Sequence, residues 1–539
     1  MIPEIQVLHY NFEGKKWNTN TQVEFIKKLA EGSDFDGKGS EKDMAFSARD
    51  RINRAPKALG FVDLKPCIKL TEAGQNFTSG KRTEEVLLRQ LLKFQLPSPY
   101  HKEPEEFKGI FCVKPYLEIF RLIYELGTIS FDELMIFGMQ LTHYNKFDSI
   151  VAEIKTFRRM KLYAEMSYKM FRGKYLKEQV ERIYADDINE GKTKTRESRD
   201  KSIDKFVTTK SRNLRDYADA CFRYLRATGM VEISQRGHSI SIMPEKRKEV
   251  EFFLSMVDRK PVYIDDEKNY KKYLFDGSIP ELYSDNRLRL IEQVQEVTGK
   301  SSGLEEQTTN ELKDILENAI ANKKKKIISK QIKELKEYKN YADIMDTFDD
   351  IKNNVLYDAP LMLEWNTWRA MTMLDGGEIK ANLKLDDKGQ PMSTAAGNMS
   401  DIVCDYGDFG LAVEVTMQSG QKQYETEGEP VSRHLAKLKK ETGKDAYCLF
   451  IAPKINESCI AYFYALHTMN IAFYGGKSVI VPLELNVFIN MVEQSYNAGY
   501  VPNPQQVKSI FEYSLEQAKN SVDEKEWYAK VKEKALNWL

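Results

Sequence analysis

The apolar and polar positions along the chain change style near residue 355. Before it, amphipathic helical stretches close on glycine and run into short apolar strands. Ala58-Leu-Gly-Phe-Val-Asp63 and Ala227-Thr-Gly-Met-Val-Glu232 are two such junctions. Gly60 and Gly229 stand where a chain leaving a helix adopts a left-handed conformation, which a residue without Cβ adopts at least cost. The first junction is followed by Ile68-Lys-Leu-Thr-Glu-Ala-Gly74, and the second by a strand, a Gln235-Arg-Gly-His238 turn and a further strand from Ser239 to Met243. Val113 to Leu141 reads as a helix, a break at Gly127-Thr-Ile-Ser130, and a second helix with an acidic start. Beyond Val355 the pattern predicts alternating helices and strands: a helix around Leu361–Met371, strands at 401–406 and 409–416 joined by Gly407-Asp408, and a helix from Pro430 to Lys440 with proline in its first turn. Strands at 446–453 and 478–482 follow.

Helix, glycine stop and a two-stranded wing make a winged-helix pattern, and two copies with a partial third predict a winged-helix-like DNA-recognition region. Ser47, Arg49, Arg51, Asn53 and Arg54 precede Gly60. Lys210, Arg212, Asn213 and Arg215 precede the helical stretch Tyr217 to Leu225, and Arg236 sits in the second wing turn. Arginine and asparagine read guanine and adenine edges bidentately, and lysine and serine hold phosphates, so these ten are the DNA-binding candidates; a solvated helix face is the competing reading of each. The domain divisions expected are 1–105 and 106–260 for two recognition subdomains, 261–354 for a Lys/Glu-rich helical linker, and 355–539 for a catalytic domain. The fold class is multidomain α+β.

The C-terminal pattern of helix, hairpin strands, helix and strand resembles the PD-(D/E)xK nuclease core. Hydrolysis of a phosphodiester calls for a divalent ion that activates water and neutralises developing charge, and hard Mg2+ takes oxygen ligands. Asp401 at the start of one strand and Glu414 inside its antiparallel neighbour can converge on such an ion, joined by the backbone carbonyl of Val415. Glu414 lies in Leu-Ala-Val-Glu-Val, a run that calls for burial, where a carboxylate without a partner is costly. Thr416 occupies the position usually held by lysine; Gln421, Lys422 and Glu427 are its substitutes within reach in sequence. Arg433 and His434 are phosphate-contact candidates, and Glu364 is a candidate to complete the acidic cluster.

Composition refines this picture without deciding it. The 539 residues are too many for one core, and 81 basic residues balance 81 acidic ones, so net charge points to no partner. The distribution says more: residues 201–248 carry eleven Lys/Arg against five Asp/Glu, whereas 401–429 is rich in acid. Six cysteines, at 67, 112, 221, 404, 448 and 459, have no ligand spacing, which argues against zinc or a disulfide framework. No apolar run reaches membrane length and no signal-peptide pattern opens the chain, so a cytoplasmic protein is expected.

Several longer stretches carry a family resemblance. Ala45-Phe-Ser-Ala-Arg-Asp-Arg51, Leu70-Thr-Glu-Ala-Gly74, Leu363-Glu-Trp-Asn-Thr-Trp368, Ala395-Ala-Gly-Asn398 with Asp401, Gly410-Leu-Ala-Val-Glu-Val-Thr416, Glu429-Pro-Val-Ser-Arg-His434 and Cys448-Leu-Phe-Ile-Ala-Pro453 resemble the AlwI-type family of type IIS restriction endonucleases, in order through most of the chain. The resemblance implies a winged-helix-like recognition region, a helical linker and a C-terminal cleavage domain. It implies a short asymmetric DNA site, GAGTC-like, with cleavage a few base pairs to one side. Carried over by position, the catalytic residues are Glu364, Asp401, Glu414 and Glu427, with Mg2+ as cofactor and Mn2+ able to substitute. A Glu-Val-Thr variant fits the family, which also includes strand-specific nicking enzymes. Two other readings stay open: a nickase that cuts one strand, and a DNA-binding regulator with an inert nuclease-like domain. One core does not readily cut both antiparallel strands, so double-strand cleavage calls for a transient homodimer or a second subunit, and a companion methyltransferase is expected.

Overall fold

The computed structural model describes residues 1–32, 41–100, 109–234, 237–353, 355–356, 358–374, 377–395, 397–499 and 502–539. These form two compact units, Met1–Leu316 and Glu317–Leu539, with the helix Thr309–Lys336 running across the division. Among the described residues no helix is long and apolar enough to cross a membrane.

In the first unit the helices Ile2–Phe12 and Glu41–Arg54 bury Ile5, Leu8, Ala48 and Ile52 in a core shared with Phe61 and Val62. Gly60 has φ +75°, and the chain then enters a two-stranded antiparallel sheet, Val62–Asp63 against Lys69–Leu70. The stretch after Leu70 is a helix, Glu72–Thr78. Thr71 turns the chain: its Oγ1 accepts from the Gly74 amide at 3.0 Å and donates to the Gly60 carbonyl at 2.6 Å. A Cβ on Gly74 would sit 2.1 Å from the Phe61 carbonyl oxygen, a backbone atom that cannot step aside. Gly74→Ala is therefore expected to destabilise this unit by about 2–3 kcal/mol, read as a lower urea midpoint at unchanged slope; a midpoint equal to wild type would contradict the close approach.

The two later junctions read in the sequence belong to one sheet. Thr128–Ser130, after the helix Pro115–Leu126, pairs antiparallel with Ser239–Ile242, which pairs with Val231–Ser234. The helix Phe131–Ile136 starts on a capping box in which Ser130 and Glu133 satisfy each other's backbone amides. The long helix Ile203–Arg226 ends ahead of Gly229, whose φ is +67°. The separation of 113–141 from 227–243 hid their pairing, because a strand partner a hundred residues away leaves no local signal.

Residues 267–316 are mostly helical and fall within this unit. Arg89, nearly buried on the helix Thr83–Lys93, donates to the carbonyls of Ser278 and Pro280 and to both carboxylate oxygens of Asp285 at 2.8 and 2.7 Å. Lys313 joins Asp285 and Glu85, each at 2.9 Å.

The second unit is built on a five-stranded sheet in the order Ile480–Glu484, Asp445–Ala452, Phe409–Val415, Ile402–Asp405, Glu378–Ala381. The first three strands are parallel and the last two antiparallel to their neighbours. Phe409–Val415 is buried through all but its last residue, as a central strand covered by helices requires. The crossover helix from it is Gln421–Thr442, two turns longer at its start than the proline predicted. Pro430 lies inside it. The helix persists through the lost amide because Val431, Leu435 and Leu438 are anchored in the core. Starting at Gln421 has a consequence for the site, since it makes Glu427 a helical residue.

Candidate active site

The antiparallel pairing of Val413 with Ile402 sets Asp401 beside the end of the central strand, and its Oδ2 accepts from the Val415 amide at 2.8 Å. Glu414 projects from that strand and is 6% exposed. Its Oε1 lies 2.9 Å from His434 Nδ1, on the crossover helix. Thr416, just past the strand, donates from Oγ1 to Glu427 Oε1 at 2.9 Å. Glu364 reaches the group from the helix Ala359–Met373, and its Oε2 accepts from the Ala395 amide at 3.0 Å.

Electrostatics tie these acids together. Burial pushes the Asp401 carboxyl well up from its ordinary value, and Glu414 and Glu427 push it further. Glu414 is raised likewise, by burial and then by Glu427 and Glu364, against a hydrogen bond with the Ser400 side chain. Glu427 is raised by burial, offset by its bonds with Thr416 and Thr426. Glu364 rises to about 8 through burial and the Asp401 charge. Four acids held this way favour their protonated forms until a cation offsets the repulsion. Because the folded value of Glu364 exceeds 4.5, its contribution to stability is complete below that pH and is lost as pH rises through about 8. Without metal, the wild type is expected to lose stability relative to Glu364→Gln between pH 5 and pH 8 (about the span of that shift), and parallel melting curves in EDTA across that range would contradict it.

Among the described residues no set of three or more His, Cys, Asp or Glu side chains is already gathered as a metal cluster. The donor set nonetheless suits a hard divalent ion: carboxylate oxygens, with Glu414 on the central strand and Asp401 just ahead of its antiparallel neighbour, whose charge is held back by desolvation and by one another.

Sequence reasoning passed over what holds the approach to Asp401. Asn398 takes a left-handed backbone, φ +67°. Its side-chain oxygen accepts from Arg433 at 2.8 Å and its carbonyl accepts from Lys437 Nζ at 3.0 Å. Asn382 bonds the Asp401 and Ser400 carbonyls. Gln423, fully buried, donates to the carbonyls of Gln418 and Lys454 and accepts from the Asn456 amide, fixing the start of the crossover helix. Of the phosphate-contact candidates, Arg433 also pairs with Glu429, and His434 faces Glu414.

The DNA-binding candidates fall on two helices of the first unit. On Glu41–Arg54, Ser47, Arg51 and Arg54 share one stripe and Arg49 and Asn53 another. Arg49 bonds Gln22, Arg51 bonds Glu4, and Arg54 pairs with Asp50. On Ile203–Arg226, Arg212 and Arg215 are exposed while Asn213 is partly buried, and Lys210 lies over the Tyr184 ring at 4.5 Å. Burial raises the Tyr224 hydroxyl above its ordinary value, and the charges of Arg223 and Arg54 partly offset this. Arg236 lies outside the described residues.

The carboxylates of Glu364, Asp401, Glu414 and Glu427 act on one another at one end of the five-stranded sheet. The particular family follows from comparison: the chain matches the model of the AlwI restriction endonuclease family over residues 57–491 and belongs to that family. It is therefore a nuclease acting on DNA, in a family that generally uses a divalent metal. Among solved structures it is similar to the small subunit (R.BspD6I2) of the heterodimeric restriction endonuclease R.BspD6I, 28% identical, with a TM-score of 0.30 over 36% of this chain and 98% of that one. It is also similar to the BpuJ1 endonuclease binding domain in complex with pyrene- and phenanthrene-modified DNA, 11% identical, with a TM-score of 0.33 over 51% and 90%. No curated protein matches.

Proposed function

We propose that the chain is a type IIS restriction endonuclease of the cytoplasm that binds a short asymmetric double-stranded site, GAGTC-like, and hydrolyses the DNA a few base pairs to one side with Mg2+. The acidic quartet carries this reading: Glu364 and Glu414 are buried, and Asp401 and Glu427 are half-buried beside them. Residues 355–539 are read as a PD-(D/E)xK core, and 1–105 and 106–260 as winged-helix-like recognition subdomains. Support for the latter is a small antiparallel sheet following a helix in each. Residues 261–354 are read as the helical linker between them and the core.

In this reading Asp401, Glu414 and the Val415 carbonyl hold the ion, and Glu364 completes its acidic surroundings. When bound, the ion supplies a more acidic water and offsets charge building on the phosphate. Thr416 stands in the lysine position, and its hydroxyl holds Glu427 Oε1; Glu427, once ionised, would be the group to take a proton from the attacking water. His434 fixes the rotamer of Glu414 through Nδ1.

One quartet serves each chain, and one quartet cuts one strand. Cleavage of both strands then calls for a transient homodimer or a second subunit, and cleavage of one makes the enzyme a nickase. A companion methyltransferase would protect the host site. Run-off sequencing of plasmid treated with enzyme and Mg2+ tests the proposal. The expected result is ends at a fixed offset from one shared asymmetric sequence, with open-circle product alone marking a nickase. Duplex binding without cleavage would instead favour a DNA-binding regulator and overturn the proposal.

A further inference from the structure

The helices Phe147–Leu162 and Tyr168–Ile183 form a hairpin around the turn at 163–167. Just inside the turn, Phe157 meets Phe171 and Tyr175 at ring distances of 5.4 and 4.9 Å, and Arg158 grips Glu133 through two bonds of 2.7 and 2.9 Å. Ser167 caps the second helix, and Tyr168 donates to Asp132 at 2.6 Å. The turn is thus held from both sides. Its apolar side chains nevertheless face solvent: Leu162 is 80% exposed, Tyr163 83% and Met170 65%, with Met160 and Met166 beside them. Contiguous exposed apolar side chains on a rigid support mark an interaction surface.

Charge identifies the partner. Residues 155–177 carry eight Lys/Arg against one acidic residue, Glu165. Arg158 and Arg172 are engaged with the acidic helix start at Glu133 and Asp132, whereas Arg159, Lys161, Lys169 and Lys174 are exposed around the apolar tip. The chain as a whole is neutral, so this concentration is a local feature, in a protein whose family acts on DNA. Apolar side chains ringed by cations suit a nucleic-acid groove, where the cations meet the phosphates and the apolar groups wedge against base steps. We infer that this tip is a second DNA contact, apart from the helices Glu41–Arg54 and Ile203–Arg226, with Leu162 and Tyr163 pressed into a groove and Arg159 and Lys161 on the flanking backbone. The inference rests on DNA being the substrate and is independent of the assignment of the cleavage site.

Fluorescence anisotropy of the full chain with a labelled 30-base-pair mixed-sequence duplex in EDTA tests it, so that a chain that cuts nothing still reports on the tip. Leu162→Ser/Tyr163→Ser is expected to weaken binding about tenfold with the salt slope unchanged. Arg159→Glu/Lys161→Glu should weaken it and reduce the slope of log K against log salt by about 2. Both variants should melt as wild type does, since the residues are exposed. Unchanged duplex affinity in both would overturn the inference. So would loss of binding to phosphatidylserine vesicles, or of self-association, in variants that hold the duplex normally, because the tip would then serve a membrane or a protein.

Discussion

Glu414→Gln is expected to abolish cleavage while making the metal-free chain more stable. Glutamine keeps the shape and the hydrogen bonds to His434 and Ser400 but carries no charge, which is the state that burial and the neighbouring acids already impose on Glu414. Removing the ionised form should raise the stability of the apo chain by about 1–2 kcal/mol at pH 8. Single-turnover cleavage of plasmid with Mg2+ should fall by about 10^3 or more, because a ligand and the charge it contributes at the reacting phosphate are gone together. Wild type should be stabilised by added Mg2+, and the variant much less so. Thermal melts with EDTA and with Mg2+ read both effects. A variant that melts well below wild type would mean that Glu414 serves the fold, and one that still cuts would remove it from the site.

Arg89→Ala is expected to be the most damaging single change in the first unit. Its guanidinium closes the carbonyls of Ser278 and Pro280 and both oxygens of Asp285, which is shared with Lys313. Truncation leaves Asp285 and two carbonyls without that donor, and breaking one partner of a buried ionic group costs about 3–5 kcal/mol. Arg89→Lys cannot reproduce the planar fork and should recover only part of the loss. Urea unfolding read by tryptophan emission checks this through Trp17, which lies in the first unit. A midpoint within error of wild type would show that the network contributes geometry and little stability.

How much of this was legible in the sequence depended on range. The hairpin pairing 402–405 with 409–415 followed from alternation and a two-residue turn, and Gly60 and Gly229 were readable because a positive φ selects glycine. The three-stranded sheet was not readable, since Thr128–Ser130 and Ser239–Ile242 meet across a hundred residues. Pro430 misplaced the start of the crossover helix: proline argues for a first turn locally, and core packing of Val431 and Leu435 overrides it. In the site, Glu414 stood out because a carboxylate in an apolar run demands a reason. Asn398, Ser400 and Gln423 carried no such demand. Most of their partners are backbone carbonyls and amides or distant side chains, which a linear reading of the sequence does not bring together.

If the acids at the end of the sheet cut DNA, Asp401→Asn abolishes cleavage, and this is the most direct test. Asparagine keeps an acceptor for the Val415 amide but removes the charge. With supercoiled plasmid and Mg2+, the wild type should give open-circle or linear product. Asp401→Asn should give neither, although it binds duplex in EDTA as the wild type does. Cleavage by Asp401→Asn at the wild-type rate would contradict the account and place the chemistry elsewhere in the chain.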